Sequence, residues 1–292
     1  MQYIPRLPEK NVNVTPTSPL RDLLVMLGGV MLILFGVYVA LGFAVDLLVP
    51  QITPAIEARI SGYFSSMRPG GEVKDEAGIP LRELAENIQQ QCVDLPYPLN
   101  VEVVEDETVN ALALPGGNIV IFSGLLDAAE SENELAFVLA HEMGHFINRD
   151  HLTSLGRGLV FVVMSSMVFG SDSVIGQRVG EMLMLSELGF SRQHESLADA
   201  FALKTVNCYY GHTAGSTSFF KNTGEMERER FAGHYLSSHP RHRQRVAELN
   251  KLAAEKGFRT EGELKPVDLY RVGLESSESE GSQAGESNSE KY

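Results

Sequence analysis

Near the start of the chain, one apolar run is broken by no charge. From Leu23 to Val45 every residue is uncharged, and Asp22 and Asp46 bracket the stretch. As a helix rising 1.5 Å per residue it extends about 34 Å, enough to cross a hydrocarbon core of about 30 Å. A cleaved signal peptide carries a shorter apolar region and a clear small-residue cleavage site. The pattern therefore predicts a single-pass anchor in the bilayer through residues 23–45. Arg6, Lys10 and Arg21 precede it, whereas Asp46 to Ser65 holds only Arg59. The positive-inside bias then keeps the N-terminus cytoplasmic and sends the body to the opposite, periplasmic or lumenal, side.

Beyond the anchor the period of the pattern changes several times. Pro50 and Pro54 introduce an amphipathic helix over Ala55–Met67, which Arg68-Pro-Gly-Gly71 ends. Leu81, Leu84, Ala85, Ile88 and Cys92 recur at helical spacing after Pro80. Val101–Val104, Ala111–Leu114 and Ile119–Phe122 read as short strands and predict a small antiparallel sheet. Ser131 with Glu134 has the form of a capping box opening the apolar run Leu135–Ile147. Leu159–Phe169 is apolar but, at 11 residues, too short to span a bilayer; it predicts a buried or membrane-apposed helix, with a re-entrant segment as the alternative. Further helices are expected over Ser186–Ala202 and Arg241–Ala254. The implied organisation is an N-terminal arm (1–21), the anchor (22–49), a linker with its helix (50–80), the main domain (81–255), an extension (256–273) and an acidic tail (274–292).

Composition narrows the function. Hydrophobic residues make up 43% of the 292, which excludes a wholly disordered or fibrous chain. The formal net charge of −14 argues against a nucleic-acid partner. Part of that excess lies in the Ser- and Glu-rich tail, which has no apolar periodicity and should be solvated and disordered. Two cysteines, Cys92 and Cys208, cannot form a disulfide framework or a multi-cysteine metal site. One disulfide and two free thiols both stay open.

The chemistry concentrates in His141-Glu-Met-Gly-His145. Four residues make about 1.1 helical turns, so both imidazoles leave one face and can share an ion. Glu142 sits beside them, where its carboxylate can take a proton from an activated water. Two core histidines satisfied by hydrogen bonds are the alternative, but two polar rings one turn apart in an apolar helix call for a shared partner. Catalytic zinc usually has three protein ligands and an open position. Downstream, Glu195 and Asp199 lie four apart among apolar residues; Glu195 is the expected third ligand. Asp199 is then placed to hold the free nitrogen of a liganding histidine, His141.

At this point the sequence resembles the membrane-associated zinc endopeptidases that include the heat-shock peptidase HtpX, the CAAX prenyl endopeptidase and mitochondrial and periplasmic quality-control relatives. The resemblance rests on Asn110-Ala-Leu-Ala-Leu-Pro-Gly-Gly117 with Ile119, Gly124-Leu-Leu126, HEMGH, Arg192-Gln-His-Glu-Ser-Leu-Ala-Asp199, and Ser238-His-Pro240 followed by Arg245. It covers roughly residues 80 to 250 and implies an α+β, zincin-like fold: a mainly helical peptidase domain with a small sheet, preceded by one transmembrane helix. It further implies one Zn2+ per chain held by His141, His145 and Glu195, with Glu142 as general base. The strand Ala111, Leu112, Ala113, Leu114 becomes an edge to which an extended polypeptide adds. His239 falls to stabilising the tetrahedral oxyanion or to a gate over the metal, its alternative being a turn residue before Pro240. Arg245 would orient the site. Having one convincing span, the chain departs from the polytopic members and from an intramembrane chamber. His151, His194, His212, His234 and His242 match no motif position and read as surface residues.

The activity implied is hydrolysis of peptide bonds in unfolded or damaged, membrane-associated or exported polypeptides. A zinc-bearing scaffold or chaperone that binds such chains without cutting them is the rival, and an anchored hydrolase of non-peptide amides a third reading.

Overall fold

The computed structural model describes residues 18–64, 71–170, 191–218 and 242–271. In order these form α1 (Pro19–Leu48), α2 (Pro54–Phe64), α3 (Asp75–Cys92), β1 (Asn100–Val104), β2 (Ala111–Leu114), β3 (Asn118–Phe122), α4 (Ser123–Ala128), α5 (Glu132–Asn148), α6 (Asp150–Phe169), α7 (Arg192–Tyr210) and α8 (His242–Lys256). The chain is mostly helical, with one small sheet. The acidic tail expected at 274–292 lies outside the described residues.

The sheet corrects one expectation: it is mixed rather than antiparallel. Its order is β1-β3-β2, with β1 parallel to β3 and β2 antiparallel to it. The reason lies in the segment after β1. The Ser123 hydroxyl accepts from the Asp106 N–H, and the Gly124 N–H donates to the Asp106 carbonyl. These bonds draw the chain across the C-terminal end of β3. A Cβ at Gly124 would strike the Glu107 backbone, so glycine permits the crossing. The chain then enters β2 on the far side of β3, so that β2 is an edge strand of the sheet among the described residues. The other edge is partly covered, because Val73 bridges Val104.

α3 starts at Asp75, earlier than the pattern suggested, and carries Pro80 within it. Its buried face, Leu81, Leu84, Ala85 and Ile88, joins the sheet and α5 in one core with Phe137, Leu139, Met143 and Leu203. α5 is buried from Asn133 through Phe146. The Ser131 hydroxyl accepts from the Glu134 N–H, and the Glu134 carboxylate takes the Glu130 N–H. This cap satisfies donors that a buried helix start would otherwise leave bare. Cys92 and Cys208 form a disulfide that ties the end of α3 to the end of α7.

The segment after α8 closes over the start of α5. Tyr210 and Tyr270 both donate to the Glu132 carboxylate, each at 2.8 Å. Burial and that carboxylate push both phenols well above the usual range.

α6 runs from Asp150, well before the apolar stretch that announced it. Its first turns bury His151 and Ser154. The buried Glu57 of α2 accepts from His151 Nε2 and from the Gly116 N–H, both at 2.9 Å. The linker helix is thereby docked on both α6 and the β2–β3 turn.

Candidate metal centre

α5 and α7 cross so closely that a Cβ on Gly144 would lie 2.9 Å from the Ala198 Cα. Glycine at the fourth position of HEMGH therefore lets α7 bring Glu195 and Asp199 up to the two histidines. His141 Nε2 and His145 Nε2 are 3.1 Å apart. Glu195 approaches them with one oxygen each, Oε2 3.5 Å from His141 Nε2 and Oε1 3.5 Å from His145 Nε2. All three side chains are buried. Among the described residues they form the one group of three with converging ligand atoms.

The outer nitrogens explain the convergence. His141 Nδ1 lies 3.0 Å from Asp199 Oδ1, and His145 Nδ1 lies 2.9 Å from Asp150 Oδ2. A carboxylate at Nδ1 keeps the proton there, so both Nε2 atoms turn lone pairs inward toward the Glu195 oxygens. Three electron-rich atoms facing one point repel one another unless a cation lies between them. The spacings suit one: a tetrahedral ion with ligands at about 2.0–2.1 Å has ligand-to-ligand edges of about 3.3–3.4 Å. The donor set therefore fits a divalent metal with imidazole and carboxylate affinity, zinc among them. Burial alone would lower the pKa of His141, but the Glu195 charge and the hydrogen bond to Asp199 outweigh it and pull it up to about 9.

Arg245 of α8 balances the carboxylates. Its Nε and Nη2 meet both oxygens of Asp199 at 2.8 and 2.6 Å, and its Nη1 lies 3.0 Å from Glu195 Oε2. Burial works to raise the Asp199 pKa, but the guanidinium holds it below the usual carboxylate range. Asp150, more weakly compensated by His194 and His151, is pushed by burial up to about 6. Glu142, fully buried, follows His141 on α5.

The structure brings His141, His145, Glu195, Asp199 and Arg245 into one buried cluster, and Glu142 is the buried residue that follows His141 on α5. Ala111 to Leu114 form β2, on which α5 packs. His239 lies outside the described residues. Two histidines read as surface residues are buried, His151 against Glu57 and His212 beneath Gly262. Asp150 was missed in the sequence, and the signal for it was indirect: His145 needs an Nδ1 acceptor, and Asp150 follows five residues later. The chain reverses between them at Arg149, whose φ of 59° is left-handed. The Arg149 side chain donates to the carbonyls of Val49 and Ile52 at the foot of α1, which accounts for arginine rather than glycine at this bend.

Comparison with known proteins points to a metallopeptidase. Over 178 residues the chain is 30% identical to the mitochondrial metalloendopeptidase OMA1 of Arabidopsis thaliana, covering 60% of this chain and 35% of that protein. It is 28% identical over 170 residues to the metalloprotease LoiP of Escherichia coli, covering 56% and 66% respectively. A putative beta-barrel assembly-enhancing protease of Vibrio cholerae is 26% identical over 143 residues, 43% of this chain and 29% of its own. The chain thus spans less than two thirds of these relatives. The model of peptidase family M48 matches residues 80–253, more than half of the chain and every residue of the metal cluster. The chain belongs to peptidase family M48.

Proposed function

We propose that this protein is a membrane-anchored zinc metalloendopeptidase that hydrolyses peptide bonds in unfolded or damaged membrane or exported proteins. The observation that carries the reading is the convergence of His141 Nε2, His145 Nε2 and Glu195 within 3.1–3.5 Å, each histidine backed by its own carboxylate. Bound there, zinc would supply a Lewis acid that polarises the scissile carbonyl and acidifies a water. Glu142 takes the proton of the attacking water on its carboxylate and delivers it to the leaving amine nitrogen. Asp199 and Asp150 hold the Nδ1 protons and so keep both histidines in the liganding tautomer. Arg245 fixes the Asp199 and Glu195 carboxylates and offsets their charge.

Substrate is read on the open edge of β2. In the β2–β3 register Leu112 and Leu114 pair with Val120 and Asn118, so the main-chain groups of Ala111 and Ala113 point away from the sheet. The Ala111 N–H is already taken by the Asn110 side chain. Ala111 is wholly buried, and among the described residues no main-chain partner takes the two Ala113 groups, which would pair with an added strand. Recognition through main-chain bonds favours extended, unfolded polypeptide over one sequence. The basic residues before α1 and the disulfide both support a body on the oxidising side of the membrane.

The test is proteolysis of an unfolded protein by the full chain in detergent, wild type against Glu142→Gln, with zinc measured in both. The reading requires cleavage by the wild type only, with about one zinc in each. Equal cleavage by both would remove Glu142 as base. Zinc in both with cleavage in neither, in detergent and again in lipid vesicles, would favour the scaffold; a folded wild type without metal would sink the site.

A further inference from the structure

α6 carries a surface that metal chemistry does not use. Leu159, Val163 and Met167 recur every fourth residue and are 44%, 45% and 69% exposed, with Val168 and Phe169 exposed beside them. From Gly158 to Phe169 the helix has no charged residue. The two serines of this stretch spend their hydroxyls internally, Ser165 and Ser166 both donating to the Val162 carbonyl. Polar groups satisfied within their own helix are what a hydrocarbon environment requires.

What covers this face follows from its neighbour. α6 packs antiparallel to α1: Arg149 reaches the Val49 and Ile52 carbonyls, Gly156 lies against Val45, and Phe161 meets Tyr38 with ring centroids 5.0 Å apart. Asp46 and Arg157 pair at 3.0 Å. They are the last charges before the apolar run on each helix, so charge ends at one level on both. Met167 lies six residues, about 9 Å, beyond Phe161 and therefore level with about Leu32, near the middle of the α1 run.

We propose that the C-terminal half of α6, Leu159–Phe169, is embedded in the same bilayer as α1, lipid hydrocarbon covering the Leu159, Val163 and Met167 face. The proposal rests on α1 being a membrane anchor. Its consequence is positional. Asp150, which holds His145, begins α6 seven residues before Arg157, so the metal cluster stands about 10 Å from the hydrocarbon boundary. A site held there by two embedded helices, rather than dangling from one, meets polypeptide segments as they leave or enter the membrane surface.

The test uses the full chain in phosphatidylcholine vesicles, with its disulfide intact. Single cysteines at Met167→Cys, Leu32→Cys and Glu255→Cys carry an environment-sensitive fluorophore, challenged by acyl-chain-brominated lipid and by aqueous iodide. Glu255, exposed on α8, reports water. The expected result is loss of most fluorescence to bromolipid at 167, as at 32, with neither responding to iodide and 255 doing the reverse. Iodide quenching at 167 equal to that at 255, with 32 still protected, would overturn the embedding and leave the anchor intact. Protection of 167 from both quenchers would mean that protein, not lipid, covers the face, and would equally overturn it. Iodide access at 32 as well would remove the anchor and the proposal together.

Discussion

Two helices that meet at Arg149 break the usual rule for soluble proteins in opposite ways. α5 buries polar and charged groups: His141, Glu142 and His145 are at most 1% exposed. α6, past Arg157, instead exposes its apolar groups. In α5 each imidazole has a carboxylate at its Nδ1, and the cluster balances two acids, Glu195 and Asp199, against Arg245. In α6 the exposed methyl groups have no protein neighbour on their outer face among the described residues. Buried charge marks where a cation belongs, and exposed apolar surface where water does not. The two departures lie within about two turns of each other, so the embedding proposed for α6 would set the chemistry close to the membrane boundary.

The comparison breaks most sharply at Arg245. Arg245→Met leaves Asp199 and Glu195 buried without their counter-charge and should cost about 3–5 kcal/mol of stability in denaturant unfolding. Asp150→Asn keeps the shape but removes the anionic acceptor of His145 Nδ1, and metal affinity should fall about 10–100-fold in a chelator competition. A wild-type affinity in that variant would free His145 from the carboxylate.

Glu57 sharpens the contrast through pH. Burial works to raise its pKa, but the hydrogen bonds from His151 and the Gly116 N–H hold it below its usual 4.5. A depressed folded pKa gives stability that is present above the unfolded value and lost as pH falls through the folded one. Glu57→Gln should therefore cost about 1–3 kcal/mol near neutrality, and thermal melts should show the gap closing as the solution is acidified below pH 4.5. A gap constant with pH would mean the carboxylate is not ionised in the fold. The smallest effect belongs to α6: Met167→Gln should change unfolding stability in mild detergent by less than about 0.5 kcal/mol, since the side chain is 69% exposed among the described residues. A larger loss in that measurement would reveal a protein contact on that face.

Much of the metal cluster was legible because helical periodicity carries it. Four-residue spacing puts His141 with His145, and Glu195 with Asp199, on single faces whatever else the chain does. The order of the strands was not legible, since alternation says which residues face the core and nothing about which strand lies next to which. Asp150 was hidden by a chain reversal. Glu57 was hidden by distance, its partner His151 lying 94 residues away. α6 was misjudged in length because only its apolar half shows a pattern, while its polar half is set by contacts with α1 and α2.

The sequence by itself therefore determined the long apolar N-terminal helix, the helix that carries HEMGH and the identities of the cluster, because each depends on residues close together in the chain. Only the tertiary structure decided that Asp150 serves His145, that β1 runs parallel to β3, and that α6 lies along α1. Those outcomes depend on which distant surfaces can bury against one another, and Gly124, Gly144 and Arg149 fix them by permitting or forcing close approach of backbones that the local pattern leaves apart.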